Sequence, residues 1–365
     1  MRVLQIVADG SPGGGTTHLV QILGHSALSQ GSALITQPGS YLAAAARAMG
    51  RECIEMDLFS AGQLVQSPPR LRRAIDDFGP DLIHAHGSRA GFLVAMAKPK
   101  APLVYTVHGL HLLHRPFPLR ALGAAAERLT SRRASLTIFV SHMDRDEALS
   151  HRLVQDENRA VVIHNGIRPP AGSPAPAVRT DHLGFVGRLE TPKDPLLFLR
   201  VVERLPGFDA TMVGWGALGP AVEEEIARRS LTGVKMLGEM SHEETLDAMA
   251  HFGVLVVTSR WEAFGLAALE AMALGVPVVA PRVGGLGEII EDNRSGILVQ
   301  SRSADGLADA VRRLSEDLRL RQQVIEGGRA RVREHFSEEH MLGAMEDAYE
   351  RVFVAKAGRS SIGHK

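Results

Sequence analysis

The chain has 365 residues, with 41 basic and 41 acidic side chains and a single cysteine, Cys53. A chain of that length is long for a single hydrophobic core and is typical of two domains. One cysteine excludes an internal disulfide framework, and no apolar run is long enough to span a membrane. The N-terminal apolar run is too short for a signal peptide, so we expect a cytoplasmic protein, and the balanced charge favours no nucleic-acid partner.

Residues 1–168 alternate short apolar runs with helical stretches. The runs "RVLQIVAD", "DLIHAH", "PLVYTVH" and "LTIFVS" have the length and composition of buried strands, and each is followed by a small or polar residue and then a helical segment. This alternation predicts an α/β domain with a doubly wound parallel sheet.

Residues 169–181 are rich in proline and have no hydrophobic periodicity, which predicts a linker. The alternation restarts over 182–340 with "HLGFVGR", "DATMVGWG", "VKMLGE", "GVLVVTS" and "VPVVAP", so we expect a second doubly wound domain. Two such domains would face a cleft at their strand ends, where ligands of these folds bind. Residues 341–358 are predicted to form a final helix that packs back toward the first domain.

Three stretches of the sequence partly match familiar motifs for binding nucleotides or metal ions. The loop "GSPGGGTTH" follows the first strand, but His18 stands where the dinucleotide fingerprint needs a glycine, and no P-loop is present. Asp144 and Asp146 have the spacing of a metal-binding pair. Ser141 precedes Asp144 by three residues, however, and this arrangement predicts a helix cap, so we expect no metal site.

Two carboxylates stand in the apolar stretch "RWEAFGLAALEAMALGVPVVAPRVGG". Gly265 to Leu274 is predicted to be a helix that is apolar on every face and therefore buried. An ionised carboxylate in such a helix is costly unless it has a partner. Glu270 either forms a salt bridge with Arg260 or Arg282, or it points together with Glu262 into a ligand-binding crevice.

Cations and glycines surround the predicted strand ends of the second domain. Gly187, Arg188 and Lys193 lie in a turn after a strand, where two cations can neutralise a diphosphate without a metal. The glycines at 284, 285 and 287 can bring backbone N–H groups close to phosphate oxygens.

The order of these motifs resembles glycosyltransferase family 4. The series "TVHG", "VSHMDRDEA", "HNGI", "FVGRL" with its following lysine, "VGWGALGP" and the two glutamates runs from Val3 to about Val354. The resemblance implies the GT-B fold, which has two Rossmann-like domains facing a cleft. It also implies a retaining hexosyltransferase of the bacterial surface-polysaccharide type. Arg168 stands where the family commonly has an aspartate.

The resemblance also implies a role for each site residue of the second domain. Glu270 would accept hydrogen bonds from the ribose hydroxyls, and Glu262 would lie against the donor sugar and oppose the positive charge at its anomeric carbon. The main-chain N–H groups of Phe264, Gly265 and Leu266 would face the diphosphate at the positive end of a helix. Gly187 gives the turn its shape, and Arg188 and Lys193 would stabilise the leaving diphosphate.

In the first domain, the resemblance implies that His108 approaches the donor sugar, while Gly14 and Gly15 let the first loop close on the phosphates or the acceptor. A histidine at a strand end is equally often structural. His18 and the pair His84 and His86 are predicted to be mostly structural.

Residues 110–135 are rich in arginine and apolar side chains, with Glu127 as the one acid. This composition suits a helix on an anionic membrane, where a lipid-linked acceptor would lie, and it suits the solvated face of a core helix equally well.

The predicted co-substrate is a nucleotide-diphosphate sugar, UDP-linked or GDP-linked, with no cofactor. The alternatives are a sugar-nucleotide epimerase or NAD oxidoreductase on the same scaffold, or a non-catalytic two-domain binding protein.

Overall fold

The computed structural model describes residues 1–58, 60, 66–168 and 180–362, with only the backbone described for 356–362. Most of the predicted linker, 169–179, lies outside the described residues. The chain forms two compact units, Met1–Gly166 with Glu338–Lys365, and Ile167–Ser337. Within the described ranges, no helix is both long enough and apolar enough to cross a bilayer.

The first unit is built on a seven-stranded sheet in which every neighbouring pair is parallel, with the order β3-β2-β1-β4-β5-β6-β7. Its strands are β1 (Val3–Val7), β2 (Ala33–Thr36), β3 (Glu52–Glu55), β4 (Leu82–His86), β5 (Leu103–Val107), β6 (Leu136–Phe139) and β7 (Ala160–Val162). Its helices are α1 (Gly14–Gly24), α2 (Ser26–Ser29), α3 (Tyr41–Ala48), α4 (Ser67–Phe78), α5 (Gly87–Ala97), α6 (Leu119–Arg133) and α7 (His142–Ser150). The strand order reverses between β1 and β4, and this switch point is where doubly wound sheets bind ligands.

The second unit repeats this topology with six parallel strands in the order β10-β9-β8-β11-β12-β13. The strands are β8 (His182–Val186), β9 (Asp209–Val213), β10 (Val234–Gly238), β11 (Val254–Val256), β12 (Val278–Pro281) and β13 (Ile297–Val299). The helices are α8 (Pro195–Glu203), α9 (Gly219–Arg228), α10 (His242–Ala250), α11 (Leu266–Leu274), α12 (Leu286–Ile289), α13 (Ala304–Glu316) and α14 (Leu318–His335). The prediction of two doubly wound parallel sheets is confirmed, and the second switch point lies between β8 and β11.

The apolar helix α11 is bounded by glycines, as its sequence predicts. Gly265 at its N-cap has a φ of 112° and Gly275 at its C-cap has a φ of 81°, both in the left-handed region that favours glycine. Its Ala, Leu and Met side chains are mostly buried, because the helix packs against α10, α14 and strand β12 of the second sheet. Glu270 is therefore the single ionisable group on a buried helix.

The last helix, α15 (Glu338–Ile362), belongs to the first unit. It buries Met341, Met345 and Tyr349 in one cluster with residues of the first sheet such as Leu82 and Val104. The sequence places the end of the second domain at 340 and the helix at 341–358, whereas the helix and its unit begin at 338. Two acidic residues at 338 and 339 explain the earlier start, because carboxylates stabilise the first turn of a helix.

Candidate active site

A lysine and a glutamate meet at the switch point of the second sheet. Lys193 follows β8 and Glu262 follows β11, and their side chains form an ion pair through Nζ and Oε2. Ser259 Oγ donates a hydrogen bond to the same Oε2 at 3.0 Å. Among the described residues, no hydrogen bond reaches Glu262 Oε1. The carboxylate is therefore held by one oxygen and can accept a ligand hydroxyl with the other.

A small cavity adjoins this ion pair within the second unit. It is lined by Phe185, Val186, Lys193, Leu255, Val256, Val257, Thr258, Ser259, Glu262, Gly265, Ala267, Ala268 and Leu286. Its lining combines a few polar groups with a largely apolar wall, as small-molecule sites usually do.

The backbone of Lys193 is fixed from two sides. Thr258 Oγ1 lies 2.8 Å from the carbonyl oxygen of Lys193 and 3.0 Å from that of Asp194. Asp194 has a φ of 48°, caps α8 through Leu197 N at 3.3 Å, and forms ion pairs with Arg302 and Arg260. These contacts determine where the lysine stem begins, so the ammonium group is directed toward Glu262.

Gly187 and Arg188 occupy the same turn in different ways. Gly187 has a φ of 152°, and a Cβ added there would lie 3.4 Å from the Cδ of Lys193, so the glycine leaves room for the lysine stem. The Arg188 side chain is 60% exposed and pairs with Glu190 at 3.3 Å. Arg188 thus lies in solvent at the strand end, outside the Lys193–Glu262 ion pair.

The glycine loop after β12 supports the backbone of Glu262. Gly285 N donates to the carbonyl oxygen of Glu262 at 3.0 Å, and Gly287 N lies 3.3 Å from the carbonyl of Gly284. A Cβ at Gly284, whose φ is 55°, would lie 1.7 Å from the Glu262 carbonyl oxygen. The expectation that these N–H groups serve phosphate oxygens is therefore wrong for 285 and 287, because both are used within the protein.

The N-terminus of α11 lies beside the ion pair. Gly265 provides no side-chain cap, and Phe264 before it is buried. The first N–H groups of a helix point out of its N-terminal end and carry partial positive charge. This end of α11 can therefore receive an anion.

Glu270 does not form either of the salt bridges considered for it. Arg260 pairs with Asp194 instead. Among the described residues, the ion-pair partner of Glu270 is His242, with Nδ1 and Oε1 separated by 3.8 Å. Burial raises the pKa of Glu270 to about 7 and lowers that of His242. Burial therefore disfavours the ionised form of each group, and an ion pair needs both groups ionised.

His108 belongs to a buried histidine cluster in the first unit. His18 lies on α1, His84 and His86 lie on β4, and His108 follows β5. The Nε2 of His108 and the Nδ1 of His86 are 3.3 Å apart. Burial lowers the pKa of His18 to about 3 and that of His108 to about 4, and it holds the pKa of His84 and His86 well below 6.5. All four rings are thus neutral at pH 7.

Gly14 and Gly15 lie in the first turn of α1, and Gly15 approaches His108. Gly14 begins α1, and a Cβ at Gly15 would lie 3.6 Å from the His108 ring. A larger residue at 15 would therefore contact the imidazole. His18 lies deeper, with Nδ1 at 3.1 Å from Met341 Sδ.

Ser141 caps α7 as the sequence predicts, since its Oγ accepts a hydrogen bond from Asp144 N at 3.2 Å.

Sequence reasoning missed Ser259, Thr258 and Asp194, which hold the ion pair. The signal for Asp194 is present in the letters "KDP", because an aspartate before a proline is typical of a helix start. Ser259 and Thr258 have no comparable signal.

Comparisons with known proteins agree with this architecture. The family described as Glycosyltransferase Family 4 matches residues 39–169, and the family described as Glycosyl transferases group 1 matches residues 176–331. An uncharacterised glycosyltransferase of Methanocaldococcus jannaschii is 29% identical over 77% of this chain and 78% of its own. A glycogen synthase of Mycobacterium tuberculosis is 27% identical over 85% of this chain and 78% of its own.

Among solved structures, Anabaena HepE in complex with UDP-glucose superposes with a TM-score of 0.85 at 22% identity, covering 96% of this chain and 100% of its own. Two Rossmann-like units with this likeness define the GT-B fold. The two family matches, one to each half of the chain, show that it belongs to glycosyltransferase family 4. This membership favours a glycosyltransferase over the epimerase, the NAD oxidoreductase and the non-catalytic binding protein that the sequence left open.

The raised pKa of Glu270 predicts an unusual dependence of stability on pH. The folded protein keeps this proton up to about pH 7, whereas an ordinary glutamate loses it near 4.5. The unfolded state therefore binds fewer protons between these values, and the contribution of Glu270 to the free energy of unfolding falls as pH rises through this window. Between pH 4.5 and 8, the free energy of unfolding of Glu270→Gln should rise relative to that of the wild type by on the order of 3 kcal/mol. Chemical denaturation at the two pH values measures this difference.

Glu223→Gln, at an exposed position of α9, is the matched control and should show no such gain. An equal difference between Glu270→Gln and the wild type at both pH values would contradict the assignment of a raised pKa.

Proposed function

We propose that this glycosyltransferase moves a hexose from a nucleotide-diphosphate sugar to a glycan or lipid-linked acceptor in cell-surface polysaccharide biosynthesis. The transfer retains the anomeric configuration and needs no metal ion. The observation that carries the proposal is the Lys193–Glu262 ion pair, which keeps one carboxylate oxygen available beside an uncapped helix N-terminus. The complex of Anabaena HepE with UDP-glucose supports a UDP donor over a GDP donor, and the glycogen synthase relative supports a glycan acceptor.

The donor diphosphate binds at the N-terminus of α11. Backbone N–H groups of Phe264, Gly265 and Leu266 face its oxygens, and the helix dipole favours its charge. Lys193 and Arg188 supply the cations that a metal would otherwise provide as the diphosphate leaves. The exposure of Arg188 allows its side chain to swing onto the diphosphate when donor is present.

Glu262 stabilises positive charge at the anomeric carbon rather than attacking it. One of its oxygens is already held by Lys193 and Ser259, which lowers its reactivity and fixes its direction. The acceptor hydroxyl attacks from the same face as the departing diphosphate. The leaving phosphate oxygen takes the acceptor's proton. Because the new bond forms on the face from which the diphosphate departs, the glycosidic bond keeps the donor's configuration.

Glu270 accepts hydrogen bonds from the ribose hydroxyls. Such bonds favour the ionised carboxylate and lower its pKa, which burial alone raises to about 7. The bound nucleoside thus supplies hydrogen-bond donors to this largely buried carboxylate.

His108 hydrogen-bonds a hydroxyl of the donor sugar. Within the described residues, its Nδ1 has no hydrogen-bond partner, whereas its Nε2 faces His86. Gly15 keeps a side chain away from this imidazole, and Gly14 and Gly15 together leave room for a ligand at the start of α1.

Residues 110–135 bind an anionic membrane on its cytoplasmic side and bring a lipid-linked acceptor within reach. Phe117 is 78% exposed and Leu122 is 70% exposed, with Arg115 and Arg120 exposed beside them. The one acid of the segment, Glu127, is buried and accepts a hydrogen bond from Tyr105 at 2.8 Å, with a pKa raised by burial. The exposed surface of this segment is therefore cationic and apolar, as interfacial helices are.

Substitution of the ion pair tests the proposed chemistry. Glu262→Gln and Lys193→Ala should each lower the transferase kcat by about 100-fold or more, since each removes charge stabilisation of the transition state. Glu270→Ala should mainly weaken nucleotide binding. Turnover of UDP-glucose to free sugar and UDP, with water as the acceptor, can be followed by proton NMR, which also reports the anomer first released.

Circular dichroism must show that each variant is folded, and Glu223→Gln serves as a surface control. Wild-type turnover in Glu262→Gln would remove that residue from the chemistry. First release of the inverted anomer would overturn retention.

Vesicle binding tests the membrane surface. Replacing both Arg115 and Arg120 with Gln should weaken binding to vesicles rich in phosphatidylglycerol by about 10-fold or more, because each arginine near an anionic surface contributes about 1 kcal/mol. Arg294 and Arg333, both exposed in the second unit, make a control pair with the same change in charge. Equal loss in both double variants, or no sedimentation of the wild type with these vesicles, would contradict the proposal.

A further inference from the structure

An exposed tryptophan lies at the edge of the second sheet where the strands end. Trp215 follows β9 in the sequence Gly-Trp-Gly, and 53% of the residue is exposed to solvent. Among the described residues, its indole forms no hydrogen bond and contacts no other aromatic ring. A face of this ring is therefore open to a ligand.

The loop that carries Trp215 is packed closely on the turn after β8. A Cβ at Gly214 would lie 2.0 Å from the carbonyl oxygen of Gly187. A Cβ at Gly216 would lie 2.6 Å from the carbonyl oxygen of Leu189. Leu189 N also donates a hydrogen bond to the carbonyl oxygen of Trp215 at 2.8 Å. The backbone of Trp215 is thus fixed before any ligand binds, which reduces the entropy lost on binding.

The turn beneath this loop also carries Arg188, which the proposed function assigns to the donor diphosphate. Arg188 stands directly before Leu189, whose N–H is bonded to Trp215. The side chain of Arg188 is 60% exposed at the same strand end. Trp215 therefore lies next to the part of the chain that receives the diphosphate.

The proposed ribose contact is also close to this loop. Glu270 pairs with His242 at 3.8 Å, and His242 begins α10 shortly after β10. Gly238 is the last residue of β10, and its carbonyl oxygen accepts a hydrogen bond from Gly214 N at 2.8 Å. The loop of Trp215 is thus held against the end of the strand that leads to the partner of Glu270.

The strand order gives the bound donor a direction along the sheet. The diphosphate site is at the switch point between β8 and β11, and β9 and β10 follow on the β8 side. A nucleotide with its diphosphate at the switch point and its ribose at Glu270 has its base at the ends of β9 and β10. Trp215 is the only Trp, Tyr or Phe in the segments 214–218 and 239–241 that follow these two strands.

We propose that the indole of Trp215 stacks on the nucleobase of the donor. The proposal rests on the proposed function, because it uses the diphosphate and ribose contacts assigned there. Every nucleobase has a π-face that can stack on an aromatic side chain, so this contact tolerates different bases. Trp215 therefore contributes affinity for UDP and GDP alike, and the choice between them is made by other groups.

Removing the base from the ligand tests this contact. Isothermal titration calorimetry compares UDP with ribose 5-diphosphate, which is UDP without its uracil. Trp215→Leu should weaken the binding of UDP by about 5-fold or more and leave the affinity for ribose 5-diphosphate unchanged, because only UDP has a base to stack. Retained binding of ribose 5-diphosphate also shows that the variant is folded.

Two further variants are controls. Trp215→Phe should retain most of the affinity for UDP, because phenylalanine is also an aromatic platform. Leu318→Ala removes an exposed apolar side chain from α14 of the same unit and should change neither affinity.

Tryptophan fluorescence reports the stacking itself. The chain has two tryptophans, so Trp261→Phe leaves Trp215 as the single tryptophan emitter. With excitation at wavelengths that uracil does not absorb, saturating UDP should quench this emission and saturating ribose 5-diphosphate should not. An equal response to both ligands would contradict the stacking.

The calorimetry separates the failure of this proposal from the failure of the proposed function. Equal loss of affinity for UDP and ribose 5-diphosphate in Trp215→Leu, or no loss for either, would overturn the stacking. The proposed function would still stand in both cases, because the wild type binds UDP. A wild type that binds neither UDP nor GDP would contradict the proposed function and the stacking together.

Discussion

The ion pair between Lys193 and Glu262 is the constraint around which the second unit is arranged. A carboxylate at the edge of an apolar cavity needs a partner, and the lysine that provides it must leave its own strand end in one direction. Hydrogen bonds from Thr258 to the carbonyl oxygens of Lys193 and Asp194 fix that direction. Gly284 allows the following loop to pack directly on the Glu262 backbone. Residues that are far apart in the sequence thus position the same ion pair.

The two glutamates of this unit show how environment divides the work of identical side chains. Glu262 has a cation and a hydroxyl on one oxygen, and these two contacts hold its carboxylate in place. Glu270 lies on a buried helix with a distant histidine as its ion-pair partner, and its pKa rises to about 7. The first arrangement suits stabilisation of a developing positive charge. The second suits a group that is completed by the hydroxyls of a ligand.

Much of the architecture could be predicted because parallel strands covered on both faces are apolar throughout. The long buried runs around β1, β4, β5, β8 and β9 are visible in the sequence for this reason, and the glycines that bound α11 mark its ends. The outer strands were less visible. β3 is a partly exposed edge strand that begins and ends with glutamate, and β7 and β13 have three residues each, so neither has a distinct hydrophobic pattern.

The candidate site was less predictable than the fold, because its contacts join residues that are distant in the chain. Glycines suggested free N–H groups at 285 and 287, but sequence cannot show that a carbonyl of another loop takes one of them. His84 and His86 lie on a strand that was correctly expected to be buried. The hydrogen bond between His84 and Tyr349 crosses more than 260 residues of sequence, and no local pattern indicates it.

A nucleoside diphosphate is expected to bind the second unit through Lys193 and the N-terminus of α11 without a metal. Isothermal titration calorimetry with UDP and GDP in EDTA, repeated with magnesium and with Lys193→Ala, tests it most directly. One nucleotide, UDP, should bind equally well with and without magnesium, and at least 10-fold more weakly to the variant, as expected for loss of a charge-assisted contact. Binding of neither nucleotide, or binding that requires magnesium, would contradict it.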